Sequence, residues 1–386
     1  MEKGGRGDII VIGAGALGLA SALALARDGW QVEVLEAAGV GAGASGGLVG
    51  ALSPHIPRGW SDKKQLQLDA LIGADAYWRE VETLGGLAPG YARTGRWMPL
   101  TAPEAAARMA ADGAEARRHW PADFTWEVVP AAMLPAWVDP EAAPWGAVHE
   151  TLSARLHPRR ALAALVAALE ALGGRVRCGT EVRAVRPGCV DLAGAHLSTE
   201  AIVIAAGTGG AGLVAPAMPG SAGLGVKGQA ALLRPAGPPP PAMIYGDGLY
   251  VVPHDDGSVA VGSTSEKAFS DPAATDSQLD DLIARAARLC PPLRGAAVLE
   301  RWAGVRPRAP KADPLVGPVP GWPGVFVANG GFRTGFGFAP LIGAAIADLA
   351  AGRPSGLPAR FTPAGHGLAP SGAALRPGAA PRNGSG

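Results

Sequence analysis

The chain has 386 residues, among them 57 glycines and 36 prolines, with 48% hydrophobic residues and a net charge of +1 from 34 basic and 33 acidic side chains. No Gly-X-Y period runs through it, which excludes collagen, and the apolar content suffices for a packed core. The balanced charge offers no basic stripe, so nucleic acid is not a favoured partner. Cys178, Cys189 and Cys290 are too few for a disulfide framework and lack metal-ligand spacing. No metal site is expected, and the setting is a reducing cytoplasm.

Residues 8–12 form a β-branched run, read as a buried strand. Gly13-Ala14-Gly15-Ala16-Leu17-Gly18 then turns into a helix reaching about Asp28, which Gly29 stops. Residues 31–36 alternate and give a second strand, closing a βαβ unit. The uncharged stretch 9–26 has the length of a membrane span. Asp8 precedes it and Gly13, Gly15 and Gly18 interrupt it, so no span is read. A glycine-rich loop occupies 39–50, and a helix is expected over 63–84. The following stretch, to about Pro144, is rich in tryptophan, and a core filled by large side chains explains it.

Residues 158–172 read as an alanine-rich helix ended by Gly173 and Gly174. Short strands follow at 175–178 and 181–185, and a third buried strand at 201–205. The segments 227–233, 249–252 and 259–262 are strand-like, 276–289 is an amphipathic helix, 325–328 a last strand and 339–349 a last helix. From Gly352 onward Pro, Gly, Ala and Arg dominate, which predicts a disordered tail over 352–386 with one docking stretch around Phe361.

The first chemical constellation is Gly13-x-Gly15-x-x-Gly18, with Glu36 at the end of the next strand. Gly13 permits the turn, Gly15 lets a pyrophosphate reach the backbone, and Gly18 lets helix and strand pack closely. The amides around Ala16 and Leu17 open the helix toward the phosphates. Glu36 can accept both ribose hydroxyls and would repel a 2′-phosphate, leaving FAD or NAD. A second small-residue loop holds Ala44, Ser45 and Gly46, which suits an extended FAD. Much later, a strand leads into Gly330-Gly331-Phe332-Arg333-Thr334-Gly335 and a helix. That helix start can face a flavin's pyrimidine edge. An NAD enzyme would not need both ends of the chain to build one site.

The pairing of "WAGVRPRAPKADPLVGP" with "VFVANGGFRTGFGFAP", added to the N-terminal fingerprint, resembles the D-amino acid oxidase superfamily of FAD-dependent amine oxidoreductases. The chain looks most like its glycine oxidase and D-amino acid dehydrogenase branch, over most of residues 8–350. The resemblance implies an α/β fold. A Rossmann-type FAD-binding domain would be built from 1–60, 151–222 and 306–351, and an antiparallel-sheet substrate domain from 61–150 and 223–305. It implies that Arg306 pairs with a substrate carboxylate, that Arg333 and Tyr250 stand near it, and that the backbone of Val182 meets adenine. Gly207 and Gly304 join the implied cofactor contacts. No cysteine resembles a flavin-linkage site, so non-covalent FAD is expected. Two departures stand out: Gly331 where many relatives have histidine, and Thr334 where glycine oxidases often have asparagine.

The function so implied is oxidation of the C–N bond of a small amino acid or secondary amine, by hydride transfer from Cα to flavin N5. An imine and then a 2-oxo acid result, with no side-chain base assigned. Oxygen, a quinone or a partner protein remains open as acceptor, peripheral inner-membrane association would go with a quinone, and homo-oligomerisation stays open. The loop around Ser45 is also similar to flavin domains that modify wobble uridines in tRNA, which is the alternative enzyme. A non-catalytic or heteromeric FAD-binding subunit is the alternative outside catalysis.

Overall fold

The computed structural model describes residues 6–368. Six strands form one sheet in the order Leu315–Pro318, Val325–Asn329, Ala201–Ile204, Asp8–Ile12, Gln31–Leu35 and Arg175–Arg177. Every neighbouring pair is parallel except the edge pair Leu315–Pro318 with Val325–Asn329. A parallel sheet must be covered on both faces, and the strands show it in their alternation. Ile9, Val11, Val32, Val34 and Val203 point into one core; Ile10, Ile12, Leu35, Ile202 and Ile204 point into the other.

The first core is roofed by helices. Ala16–Arg27 packs against Gly335–Ala350 and Pro158–Ala171, so the first and last long segments of the fold meet. Asp62–Gly85, expected in the substrate-binding part, packs on Pro158–Ala171 and Gly335–Ala350 and completes this roof. The second core is covered by a small antiparallel sheet of Ala184–Arg186, Cys189–Leu192 and Ala195–Ser198. The sequence reading put a strand over 181–185 and missed the hairpin after it. Residues 181–183 stay irregular, and Glu181 and Val182 line the site.

Eight strands form the second large sheet, in the order Ala297–Arg308, Leu224–Arg234, Val259–Gly262, Leu249–Pro253, Met243–Gly246, Arg96–Pro99, Ala147–Glu150 and Trp126–Val129. It is antiparallel apart from the pairing of Met243–Gly246 with Arg96–Pro99. Ala231 and Leu233 face the amphipathic helix Ser277–Leu289, whose N-terminus is capped by the Asp276 carboxylate accepting from Gln278 N–H. Ala230 and Leu232 face the other way, toward Leu48, Val49 and Trp302. That second face meets the loop that follows Gln31–Leu35.

Trp120 and Trp126 of the rich stretch are core residues, as is Trp78 in the helix before it, whereas Trp145 just beyond it is half exposed at 50%. Residues 352–368, expected to be disordered, are packed. Phe361 is fully buried with its ring edge-on to Phe338, and Arg360 bonds Asp313 at 2.8 Å. The rest of the expected tail, 369–386, lies outside the described residues. No described helix is long and apolar enough to cross a membrane.

Candidate active site

A cleft of about 720 Å³ runs from the carboxyl ends of the parallel strands to the face of the eight-stranded sheet. Open α/β sheets place their ligands at this end because the loops that follow the strands diverge there.

The first end of the cleft is bare backbone. Gly13 has a φ of +107°, and a Cβ on it would lie 2.6 Å from the Ala205 carbonyl oxygen. Gly15 stands at the N-cap of Ala16–Arg27 with no side-chain cap. Leu19 N–H makes the first turn bond, to Gly15 O at 2.9 Å, so the amides of Ala16, Leu17 and Gly18 precede the helical ladder. The Ala16 amide donates to Ser45 Oγ at 3.0 Å. Gly18 lies beneath the loop, where a Cβ would stand 2.0 Å from Gly13 O. Glu36 sits at the rim and accepts from the amides of Ala14 at 2.9 Å and Ala38 at 3.0 Å. Glu36 lines the cleft together with Thr180, Glu181 and Val182. A cradle that any Cβ would fill, an opened helix start and a fixed carboxylate together fit the adenosine diphosphate of FAD.

The middle of the cleft is built by Ala44 and Ser45, with Gly46 behind them. A Cβ on Gly46 would lie 2.2 Å from Gly41 O, and Arg159 Nε donates to the Gly46 carbonyl at 2.9 Å. Trp302 lies over Gly304 and against Gly47, at 2.4 Å and 3.1 Å from where their Cβ atoms would be. Neither Trp302 nor Gly47 was singled out from the sequence. Their meeting depends on two segments that only the fold brings together.

The far end is the loop after Val325–Asn329. Asn329 ties it down: Nδ2 donates to Gly207 O at 2.7 Å, and Oδ1 accepts from Gly330 N–H at 2.8 Å. Gly330 has a φ of +74°, and its Cβ would meet Ala309 at 2.6 Å. Phe332 also holds a positive φ, +40°, which is uncommon for an aromatic residue and marks a constrained loop. The last helix begins at Gly335, four residues before the expected start, with Thr334 as N-cap. The helix start therefore reaches the cleft itself, lined by Gly331, Phe332, Arg333, Thr334 and Gly335. Of the residues assigned to the cofactor by sequence, only Gly18, Gly46 and Gly330 do not line the cleft; they underlie the segments that do.

A row of side chains crosses the eight-stranded sheet below this loop. Arg306 reaches over Gly228 so that Nη1 donates to Ser263 Oγ at 2.7 Å. Nη2 donates to Thr264 O at 2.7 Å and to Lys227 O at 3.1 Å. Its Nε is buried with no hydrogen-bond partner among the described residues. Arg333 stands by the same Phe332 ring as Arg306; the two guanidiniums are 5.2 Å and 5.9 Å from its centre. Arg333 bonds Ser265 Oγ at 3.0 Å. Among the described residues, neither arginine has a carboxylate within salt-bridge distance. Burial, and then the charge of Arg333, push Arg306 down to about 10, against a weaker pull from Glu266.

Tyr250 faces Gly262 across one strand pair and Tyr245 across the next, with the two tyrosine rings 4.4 Å apart. Beyond them Arg96 donates from Nη1 to the Tyr250 hydroxyl at 3.2 Å and from Nε to Glu150 at 2.9 Å. Arg96, Glu150, Tyr245 and Gly228 were not read from the sequence. Arg96 and Glu150 lie 54 residues apart on strands the sequence did not declare.

Lys227 does not line the cleft. It points to the opposite face of its strand, buried 3.8 Å from Glu266. His55 lines the cleft, its backbone amide bonded to Gln67 at 2.8 Å. Burial lowers its pKa, opposed by the Gln67 bond, so it is neutral near pH 7. None of the three cysteines lines the cleft, and Cys290 is fully buried.

A family model described as FAD dependent oxidoreductase matches residues 8–349. The chain belongs to this family. It is similar to glycine oxidase of Pseudomonas aeruginosa, 30% identical over 92% of this chain and 98% of the relative. It is likewise similar to glycine oxidase of Pseudomonas putida, 31% identical over 92% and 98%. Among solved structures it resembles glycine oxidase from Geobacillus kaustophilus, with a TM-score of 0.83 and 26% identity over 93% of this chain and 98% of that one. The cofactor of this FAD-dependent oxidoreductase is FAD, and its chemistry is amine or amino acid oxidation.

Proposed function

We propose that the substrate is a small α-amino acid or N-substituted glycine whose carboxylate binds Arg306, with Arg333 and Tyr250 beside it. The observation that carries this reading is the unmatched charge of Arg306. Its guanidinium bonds only neutral oxygens, its Nε is unpartnered among the described residues, and a second cation, Arg333, stands by the same Phe332 ring. A half-buried cation without a counter-ion carries a desolvation cost, and a carboxylate relieves it with charge-assisted bonds. The glycine oxidase relatives support the same substrate class.

Bound FAD would supply the two-electron acceptor for oxidation of the substrate's Cα–N bond, and water would hydrolyse the imine product to a 2-oxo acid with release of ammonia or the amine. The protein's part is orientation. Arg306 fixes the carboxylate, and glycine at 228 and 304 in the sheet beneath makes room for the Arg306 guanidinium and the Trp302 ring that line the cleft. The opened start of Gly335–Ala350 favours negative charge at the far end of the cleft. We infer dioxygen as the acceptor, in keeping with the oxidase relatives. The tRNA-modifying alternative is not favoured, since near full-length relatives are glycine oxidases and the net charge is only +1.

The test is an anaerobic screen of the purified flavoprotein with glycine, sarcosine, D-alanine and L-proline. At least one should bleach the visible flavin band, and air should restore it. No bleaching by any of them overturns the substrate class; bleaching without reoxidation by air overturns the acceptor.

A further inference from the structure

We propose that Arg96, held by Glu150, is a positioning residue that fixes the Tyr250 hydroxyl as a hydrogen-bond donor toward the substrate carboxylate. The inference rests on the reading of Tyr250 as a carboxylate contact, and assigns the group that aims it.

Arg96 and Glu150 form a buried pair, 4% and 0% exposed, directly opposite one another on neighbouring strands. Burying an ion pair contributes little to stability unless every remaining donor and acceptor is satisfied. Glu150 meets that condition. Besides Arg96 it accepts from the amides of Leu152 at 2.9 Å and Ser153 at 3.0 Å, and from the Ser153 hydroxyl. A carboxylate so saturated is a fixed anchor and has no free lone pair for a substrate amine. Arg96 is anchored in turn: Nε on Glu150, Nη2 on the Pro54 carbonyl at 3.4 Å, and the guanidinium 5.6 Å from the centre of the Tyr245 ring.

What remains is Nη1, which donates to the Tyr250 hydroxyl at 3.2 Å. A guanidinium has donors only. The Tyr250 oxygen therefore accepts on that side, and its own proton must point elsewhere. Tyr250 lines the cleft and donates to no described side chain or backbone group. The register carries the direction: Tyr250 pairs with Gly262, the residue before Ser263, and Ser263 Oγ holds Arg306 Nη1 at 2.7 Å. The hydroxyl proton is thus presented on the side of the sheet where Arg306 waits for an anion. Without Arg96 the hydroxyl could rotate and accept rather than donate, which repels a carboxylate.

The experiment is a double-mutant cycle on the FAD-loaded protein, reading KM and kcat for the amino acid identified by the substrate screen. Tyr250→Phe should raise KM about tenfold, as expected for loss of a bond to a charged group. Arg96→Lys keeps the charge beside Glu150 but loses the fork that spans Glu150 and Tyr250. It should raise KM roughly three- to tenfold with kcat within about twofold. In the Tyr250→Phe background it should add less than about twofold. The Arg96→Met/Glu150→Gln pair, which removes both charges together, should repeat that pattern. A KM rise from Arg96→Lys that is equal in both backgrounds, or no rise at all, overturns the positioning role while leaving Tyr250 as a contact. An unchanged KM in Tyr250→Phe overturns the contact reading itself, and the inference with it.

Discussion

Nη2 of Arg306 lies 2.6 Å from the point a Cβ on Gly228 would occupy. The strand Leu224–Arg234 gives way to the arginine at this one residue, and the guanidinium rests on its backbone. Gly228→Ala forces a shift, and the easiest group to move is the end of the flexible arginine. The expected outcome is an intact, FAD-loaded protein with KM for the amino acid raised about tenfold or more, since a displaced charged bond costs about 1.5–3 kcal/mol. Steady-state kinetics beside a flavin spectrum check this. An unchanged KM would mean that Arg306 in its observed seat does not touch substrate.

A second glycine is constrained by backbone. A Cβ on Gly18 would stand 2.0 Å from Gly13 O, and neither group can retreat. Gly18→Ala should part the helix from the nucleotide turn and weaken FAD binding by about tenfold or more. The purified variant should carry little flavin and regain less on dialysis against FAD. Full occupancy after purification would count against the cradle described for Gly13 to Gly18.

The two ends of the chain that form the cofactor cleft were legible because glycine turns act locally. Gly13, Gly15, Gly18 and Glu36 lie within one βαβ unit, and the Gly330–Gly335 loop adjoins a strand and a helix. The carboxylate end was legible only through family resemblance at Arg306, Arg333 and Tyr250. Its supporting residues were silent. Gly228 looks like any strand glycine until the register sets it opposite Gly304. Arg96 and Glu150 sit in four-residue strands too short to show a period, and they pair across a long separation. Pro340 sits inside the last helix, and with the glycines around it disguised the helix start. The packing of 352–368 rests on a few anchors, chiefly Phe361 and Arg360, in a composition otherwise typical of disorder.

His254 links stability to pH. Burial brings its pKa down to about 4, against a bond to the Leu48 carbonyl and with the charges of His157 and Arg155 adding to the fall. In the unfolded chain it titrates near 6.5. Between these values the unfolded chain binds a proton that the folded chain refuses. Its contribution is therefore complete above pH 6.5 and lost as pH falls toward 4, the loss by pH 5 amounting to about 2 kcal/mol. His55, His149, His157 and His366 are also lowered by burial and add the same sign. The thermal midpoint, followed by release of flavin fluorescence, should fall clearly from pH 7 to pH 5. In His254→Gln, which keeps a donor for Leu48, the fall should be shallower. Equal slopes in the two proteins would remove His254 from this account.

The central claim is that Arg306 recognises a carboxylate, and anaerobic flavin reduction tests it most directly. The wild-type protein and Arg306→Met, both FAD-loaded, are titrated with the best amino acid and with the matching amine that lacks the carboxyl group. The account predicts that the amino acid reduces the wild-type flavin at low concentration and that the amine does so poorly. It predicts that Arg306→Met needs on the order of a hundredfold more amino acid, with its response to the amine unaltered, as for loss of a bidentate charged contact. Equal reduction of wild type by both compounds, or an unshifted amino acid titration in Arg306→Met, would contradict it.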